Sequence, residues 1–510
     1  MNRDVRAADA WGPVIDGSSA GVAETHISWL FLIGDRAYKL KKPVKFDFLD
    51  FSTREAREVA CRREVELNRR LAPDVYLGVA DVIGADGAPC DHLDVMRRMP
   101  DARRLSTLVQ EGADVRDALR ALARLLAGFH ADADSSAEIS AEGTVEATRA
   151  RWESSFVTMA PFLGSALDPE LAARIEDRVR RYLAGREVLF AERVTGHKIR
   201  DGHGDLLADD IFCLDDGPRV LDCIEFDDRL RYGDVLSDVA FLAMDLERLG
   251  APSLAASFLG WYREFADEHY PATLAEHYIG YRAIVRCKVA CLRVAQGDES
   301  GADDAAALLR LAADHLERTR VAAALVGGLP GTGKSTLAAA LADRLGWSVI
   351  RSDEVRKDLA GLGHTERIGA GYEEGIYSPA STQRTYQEIL RRARVLLERG
   401  ESVLLDGSWS STGARDDAAR MVRETSAELH ALRCVAPPNI ATRRLEARTA
   451  IGRDASDANP AVAQRMRAGA DPWESATPID TTASPAEAVA AAITAMGVEP
   501  SDPDGIAGPA

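Results

Sequence analysis

The chain has 510 residues, of which 46% are hydrophobic and 28% charged, a balance typical of soluble globular proteins rather than disordered or fibrous ones. At roughly 150 residues per domain, this length predicts about two to four folded domains. The formal net charge of −18 repels phosphate backbones, so it argues against a nucleic-acid partner and favours a small metabolite as substrate.

Cysteine usage and hydropathy indicate the compartment. The seven cysteines are scattered and form no C-x-x-C pair, as expected for thiols kept reduced in a cytoplasm. No apolar run reaches the ~18 residues of a membrane span, and the first residues lack the apolar core of a secretory signal. We therefore expect a cytoplasmic protein with no membrane partner.

The first part of the chain is rich in predicted strands. The run ISWLFLIGDRAYKLKKPV predicts a hairpin that turns at Gly34 and Asp35, and DVYLGVADVIGADG predicts another strand. Between them, residues 53–71 have the apolar spacing of a charged amphipathic helix. Helical patterns then dominate, with short strands predicted within 210–225. This order predicts an α+β domain over residues 1–320.

The pattern changes at VAAALVGGLPGTGKS, which predicts a buried strand, a glycine-rich turn and a helix. Later apolar runs, WSVIRSD, ESVLLDGS and AELHALRCVA, alternate with helical stretches, as in a parallel sheet flanked by helices. We therefore predict an α/β P-loop domain over residues 321–497. The remaining residues, 498–510, have the composition of a disordered tail.

A complete G-x-x-x-x-G-K-[ST] motif lies between the apolar strand and the helix that follow residue 320. Glycines let backbone N–H groups turn inward around phosphates, and the helix N-terminus adds partial positive charge. Lys334 is expected to reach the β- and γ-phosphates of ATP, and Ser335 to bind Mg²⁺. The predicted nucleotide-binding residues are Gly328, Leu329, Pro330, Gly331, Thr332, Gly333, Lys334, Ser335 and Thr336.

Two acidic residues follow later strands of the same predicted sheet. Asp406 ends the apolar run ESVLLD, where a carboxylate can hold magnesium or its water, although a surface acid is the alternative. Asp353 follows the strand WSVI, so it faces the ligand crevice and can accept the proton of an attacking hydroxyl. The alternative is that Asp353 caps the next helix.

The element Arg351-Ser-Asp353-Glu-Val-Arg356 resembles one found in small P-loop kinases, including polynucleotide kinases, gluconate kinases and zeta-type toxin kinases. The resemblance implies that Asp353 is the catalytic base and Arg356 a substrate or phosphate clamp. The segment RRLEARTAIGRDASDA is similar to the mobile arginine lid of such kinases, with Arg448 and Arg453 as catalytic arginines. A solvated helix face is the alternative for these arginines.

Carboxylates also cluster in the first predicted domain. A polar loop, DGHGD, ends at Asp205 and precedes a short strand, and a second, acidic strand is predicted at VLDCIEFDD. The span from Asp205 to Glu225 is long enough for a hairpin that brings one proton-accepting and two metal-binding carboxylates together. A structural hairpin with exposed acids is the alternative.

The His-Gly-Asp run ending at Asp205 matches the loop of the aminoglycoside phosphotransferase-like family, which shares the fold of eukaryotic-type protein kinases, and residues 1–320 resemble this family. The resemblance implies that Asp205 is the base for the substrate hydroxyl. It places the metal-binding positions at Asp210, where the family has Asn, and at Glu225, where it has Asp. Asp222 and Asp227 are rival ligands.

The same resemblance extends to the predicted strand lobe. Lys39 corresponds to the phosphate-binding lysine, with Lys41 as an alternate because residues two apart in a strand share a face. Glu64 stands where the family's helix supplies the partner of that lysine. Residues 94–100 correspond to the hinge against which adenine packs.

The chain as a whole resembles bacterial two-part proteins that join an aminoglycoside phosphotransferase-like domain to a P-loop kinase-like domain. The resemblance implies an ATP- and Mg²⁺-dependent phosphotransferase that acts on a hydroxyl of a small molecule and has two nucleotide-binding domains. The departures at Asp210 and Glu225 keep a second interpretation open, an ATP-switched regulatory protein with a pseudokinase N-terminal domain and an ATPase C-terminal domain. A polynucleotide kinase is a third option, against which the net charge argues.

Overall fold

A computed structural model gives the structure of the protein over residues 21–24, 27–46, 49–298, 300–364, 366, 373–451, 459–482 and 484–498. Apart from Val498, the tail that we predict to be disordered lies outside these residues.

The first lobe is an antiparallel sheet with one helix packed against it. Its elements are β1 (Gly21–Glu24), β2 (Ser28–Ile33), β3 (Arg36–Lys41), β4 (Lys45–Phe46), β5 (Leu49–Asp50), α1 (Arg54–Asn68), β6 (Tyr76–Ile83) and β7 (Pro89–Arg97). Five strands form the sheet in the order β1-β2-β3-β7-β6. The predicted hairpin is present as β2 and β3, and Gly34 supplies the left-handed φ of 60° that its turn requires. The helix α1 begins where the Thr53 hydroxyl accepts a hydrogen bond from the Ala56 N–H at 3.1 Å.

A larger, mostly helical lobe follows. Its elements are α2 (Leu105–Gln110), α3 (Arg116–Asp132), α4 (Ala137–Ala141), α5 (Val145–Met159), α6 (Pro169–Ala184), α7 (Glu187–Thr195), β8 (Ile199–Asp201), β9 (Ile211–Leu214), β10 (Gly217–Val220), β11 (Tyr232–Asp234), α8 (Val235–Arg248), α9 (Pro252–Phe265), α10 (Ala272–Ala295) and α11 (Gly301–Glu317). The helix α8 is buried from Val235 to Leu246 and forms the centre of this lobe. The helix α10 packs against α5, α8 and α11.

One sequence-based expectation about this lobe is wrong. The run VLDCIEFDD was predicted to be a strand, but β10 ends at Val220 and no strand is assigned to residues 221–231. The chain leaves the sheet at Asp222, whose φ of 65° is incompatible with an extended strand. The strict alternation of side chains that a strand would impose is therefore lost just where the acidic residues lie.

The C-terminal domain is a parallel sheet between helices. Its elements are β12 (Ala322–Gly327), α12 (Lys334–Leu345), β13 (Ser348–Arg351), α13 (Ser352–Ala360), α14 (Pro379–Glu398), β14 (Val403–Asp406), α15 (Thr412–Glu424), β15 (Glu428–Val435), α16 (Pro438–Ile451), α17 (Pro460–Gly469), β16 (Thr477–Asp480) and α18 (Pro485–Met496). The strand order is β13-β14-β12-β15-β16, and all four pairings are parallel. The predicted fold class is confirmed. The wholly buried β12 lies at the centre, so ligands are expected at its carboxyl end.

The C-terminal domain packs on the helical lobe. Arg178 of α6 donates a hydrogen bond to Glu428 at the start of β15 at 2.8 Å, and Arg399 after α14 donates to Glu192 of α7 at 2.6 Å. Buried apolar residues of both domains belong to one continuous core. Within the described ranges, no helix is long and apolar enough to cross a membrane.

Candidate functional site

The turn between β12 and α12 has the conformation of a phosphate-binding loop. Gly328, Gly331 and Gly333 have φ angles of 135°, 82° and 89°, which residues with side chains rarely adopt. The Lys334 ammonium reaches back across the turn and donates a hydrogen bond to the carbonyl of Leu329 at 3.2 Å. The backbone groups of the loop therefore already form a concave surface, and the Lys334 ammonium lies at its opening.

Neighbouring elements hold this loop from the outside. The Thr481 hydroxyl, which follows β16, donates to the carbonyl of Thr332 at 2.6 Å, and Arg444 of α16 donates to the carbonyl of Thr481 at 2.6 Å. Of the two arginines predicted to act from a lid, Arg448 falls within α16 and Arg453 lies outside the described residues. The α16 helix is thus anchored beside the phosphate-binding loop.

Asp406 ends β14, next to the phosphate-binding strand β12. It is buried, and this burial raises the pKa of its carboxyl, while the charge of Lys334 and a hydrogen bond with the Ser335 hydroxyl act in the opposite direction. The structure thus brings Lys334, Ser335 and Asp406 together. A hydroxyl and a carboxylate at this point are the oxygen ligands that Mg²⁺ prefers.

Asp353 lies in the first turn of α13, near enough to Asp406 for its charge to raise the pKa of that carboxyl. The alternative in which Asp353 caps the helix is wrong, because the helix begins at Ser352 and its capping position is Arg351. Asp353 lies close to the carboxyl edge of the sheet, where β13 and β14 run side by side.

Arg356 is buried one turn further along α13. Its guanidinium donates to the carbonyl of Ile376 at 3.0 Å and to the hydroxyl of Thr382 at 3.1 Å, and it lies 4.9 Å from the ring centroid of Tyr377. In this structure Arg356 therefore holds the segment that enters α14. Its predicted role as a phosphate clamp stays a prediction.

In the N-terminal domain, two buried lysines of β3 share one glutamate of α1. Lys39 donates to Glu64 at 2.8 Å and to Asp222 at 2.7 Å, whereas Lys41 donates to the other Glu64 oxygen at 2.6 Å and to Glu225 at 2.5 Å. Burial alone would lower the pKa of Lys39, but the charges of Asp222 and Glu64 hold it well above its ordinary value. Both lysines are therefore charged.

The two acids of this network differ in exposure. The Asp222 side chain is 39% exposed, whereas that of Glu225 is 6% exposed and enclosed with Lys41. The backbone N–H of Asp222 donates to the Tyr76 hydroxyl at 3.2 Å, which fixes the residue in its left-handed conformation. Asp227, the other rival ligand, accepts from a backbone N–H at 3.0 Å in the following turn. The structure thus brings Asp222, rather than Glu225 or Asp227, to Lys39, on the solvent-exposed side of these ion pairs.

Asp210 lies beside this position. Its carbonyl accepts a hydrogen bond from the N–H of Leu221 at 2.9 Å, which places Asp210 opposite the residue that precedes Asp222. In the part of the chain that the structure describes, no group of three or more His, Cys, Asp or Glu side chains could hold a metal ion. A metal at this site would need nucleotide phosphates to complete its ligands.

Asp205 lies in a loop that α8 holds in place. Both carboxylate oxygens of Asp238 accept backbone N–H groups of the two residues before Asp205, each at 2.8 Å. Burial raises the pKa of Asp205 to about 6, while Arg286 and Arg282 of α10 oppose this shift and the charge of Asp222 adds to it. A carboxylate with this pKa is suited to accept a proton near neutral pH. Sequence reasoning missed the two arginines, whose only local signal is their spacing of four in an apolar helix.

A cleft lies between the two lobes beside the residues predicted to pack against adenine. Apolar side chains from both lobes line it, namely Leu32, Ala37, Met96, Phe212 and Leu221. The predicted hinge forms its edge after β7. Among the described residues, no backbone hydrogen bond engages the N–H or the carbonyl of Met99, so both are available to a ligand in the cleft.

These two sites define a kinase-like domain joined to a P-loop domain. A family model described as "Phosphotransferase enzyme family" matches residues 31–275, and one described as "AAA domain" matches residues 324–473. Uncharacterized proteins of Mycobacterium tuberculosis and Mycobacterium bovis are each 43% identical to this chain over 469 residues, covering 92% of the chain and 94% of the relative. The chain therefore belongs to the same family as these mycobacterial proteins.

Several solved structures resemble one or other domain. The GDP complex of aminoglycoside 2'-phosphotransferase-IIIa is 16% identical, with a TM-score of 0.38, and covers 59% of this chain and 93% of its own. A choline/ethanolamine kinase family protein from Mesorhizobium loti is 11% identical, with a TM-score of 0.38 and coverages of 59% and 92%. A gluconokinase from Sinorhizobium meliloti is 17% identical, with a TM-score of 0.26 and coverages of 35% and 92%.

Proposed function

We propose that the protein is an ATP- and Mg²⁺-dependent phosphotransferase that transfers the γ-phosphate to a hydroxyl of a small molecule and binds nucleotide in both domains. The observation that carries the proposal is the convergence of Lys334, Ser335 and Asp406 at the preformed phosphate-binding loop. Lys334 neutralises the β- and γ-phosphates, Ser335 and Asp406 hold the metal, and Asp353 accepts the proton of the attacking hydroxyl.

The N-terminal domain supplies a second set of the same kinds of groups. Asp205 is the proton acceptor, Lys39 is the phosphate-binding cation oriented by Glu64, and Asp210 and Asp222 are the metal ligands. In this structure the Lys39 ammonium binds both Glu64 and Asp222. When nucleotide binds, Lys39 has to release Asp222 and bind a phosphate instead. The net charge of −18 supports a small-molecule acceptor over nucleic acid, and a cytoplasmic location fits a chain with scattered thiols.

The test is phosphotransfer to a metabolite extract from radiolabelled ATP, with products resolved by mass spectrometry. Wild-type protein should give a phosphorylated product, and a variant with both Lys334→Ala and Asp205→Asn should give none. The two single variants then assign the product to one domain. Equal product formation by the wild type and the double variant would disprove the proposal.

One observation favours the alternative of an ATP-switched regulatory protein with a pseudokinase N-terminal domain. Lys39 forms an ion pair with Asp222, and Lys41 forms one with Glu225. The lysine that would bind phosphate and the acid that would bind the metal therefore bind each other. Under this alternative, ATP turnover occurs without any phosphorylated metabolite and depends on Lys334 alone. A phosphorylated product whose formation requires Asp205 would exclude the pseudokinase.

A further inference from the structure

The helix α10 is attached to the Asp205 loop by an arginine. Arg282 donates to the carbonyl of Gly204 at 3.2 Å and to the carbonyl of Ser237 at 2.9 Å, and its guanidinium lies 4.7 Å from the ring centroid of Phe241. These contacts fix its position. Arg282 therefore brings one face of α10 directly against the residue that precedes Asp205.

Arg286 lies one helical turn further along the same face. It is half-buried, and within the described ranges it makes no hydrogen bond or ion pair with a side chain or backbone group. Its charge nevertheless acts on Asp205 more strongly than that of any other cation. The protein leaves several N–H donors of this guanidinium unused, and an anion with oxygen acceptors can bind them.

The position of Arg286 assigns that anion to the acceptor rather than to the nucleotide. Under the proposed function the nucleotide phosphates bind Lys39 on the strand lobe, whereas α10 packs against α5, α8 and α11 of the helical lobe. With the phosphates at Lys39, the side of Asp205 on which α10 lies remains for the attacking hydroxyl.

We propose that the acceptor phosphorylated by the N-terminal domain is an anionic hydroxyl compound, whose carboxylate or phosphate group is held by Arg286 while its hydroxyl meets Asp205. This inference rests on the proposed function of the same site. The guanidinium offers two parallel N–H donors to such a group, so it fixes the distance from the anionic group to the reacting hydroxyl. Arg286 is then a specificity-determining residue for substrate binding.

Anion binding is measured first, without turnover. Inorganic phosphate is titrated by calorimetry into the Lys334→Ala protein, which lacks the P-loop cation, in the presence of saturating ADP and Mg²⁺. We expect saturable binding that weakens at least tenfold in Arg286→Gln and partly recovers in Arg286→Lys. Arg310→Gln, which removes an exposed arginine of α11, should leave it unchanged. No saturable binding, or equal binding in the Arg286→Gln protein, would overturn the inference.

Turnover separates this inference from the proposed function. Three sugars with the same ring, the anionic glucose 6-phosphate, the neutral glucose and the cationic glucosamine, are offered to the Lys334→Ala protein. A metabolite extract is tested beside them. Transfer confined to anionic acceptors, with KM raised by Arg286→Gln, supports the inference. Transfer to neutral or cationic acceptors that is indifferent to Arg286 overturns it and leaves the function standing. Absence of all transfer, with phosphate binding still dependent on Arg286, refutes phosphotransfer by the N-terminal domain and leaves an anion site.

Discussion

Replacing Asp205 by Asn should stabilise the protein while it abolishes phosphotransfer by the N-terminal domain. In the folded protein the pKa of Asp205 is raised by burial from 3.8 to about 6, so the folded state holds the proton more tightly than the unfolded state does. Stability therefore falls as the pH rises from about 4 to about 6, and the full destabilisation is present above pH 6. A shift of about two units corresponds to roughly 3 kcal/mol.

Asp205→Asn removes this burial of charge, so above pH 6 the free energy of unfolding should increase, by at most about 3 kcal/mol. Near pH 4 the carboxyl is protonated in the wild type as well, and the difference should nearly vanish. Urea denaturation at pH 8 and at pH 4 measures the free energy of unfolding at each pH. The transition that is monitored is the unfolding of the helical lobe. Asp314→Asn, at an exposed site on α11, is the matched control and should change stability at neither pH.

The same carboxyl predicts the pH dependence of the reaction. Below pH 6 the protonated form cannot accept a proton, so kcat/KM of the N-terminal domain should fall about tenfold for each further unit of pH. The P-loop reaction is removed by working in the Lys334→Ala background. An Asp205→Asn protein that is no more stable than wild type at pH 8 would refute the reasoning, because the carboxylate would then be well solvated or fully paired.

Three further predictions concern the nucleotide sites. Lys334→Ala should reduce the stoichiometry of MgATP binding from two to one per chain in calorimetry, and retention of two sites would show that the phosphate-binding loop works without its cation. Gly331→Ala should lower the thermal stability of the C-terminal domain and weaken its ATP binding at least tenfold, because the residue has a φ of 82° and a Cβ would lie 2.5 Å from the carbonyl oxygen of Ala441. In the presence of ADP, Asp222→Asn should abolish Mn²⁺ binding by the N-terminal domain, measured by electron paramagnetic resonance, whereas Glu225→Gln should retain it. Glu225→Gln should also reduce the free energy of unfolding by about 3 kcal/mol, because Lys41 loses a buried charge partner. The reverse result would assign the metal to Glu225.

The sequence alone was sufficient where the chemistry is local. The phosphate-binding loop needs glycines at positive φ followed at once by Lys334 and a helix, and these residues are neighbours in the chain. The parallel C-terminal sheet was likewise predictable, because apolar strands that alternate with helices have few ways to pack. The pairing of Lys39 with Glu64 followed from family resemblance and is present in the structure.

Only the tertiary structure decided which acids and cations meet around Asp205. The acidic run after β10 was predicted to alternate as a strand, but the left-handed conformation at Asp222 turns that residue to Lys39 and leaves Glu225 to Lys41. Arg286 reaches the site from a helix about eighty residues later in the chain, and its effect depends on how α10 packs. These contacts form between segments that are distant in sequence, so local patterns do not predict them. A left-handed backbone conformation at one residue also changes which side chains the following residues contact.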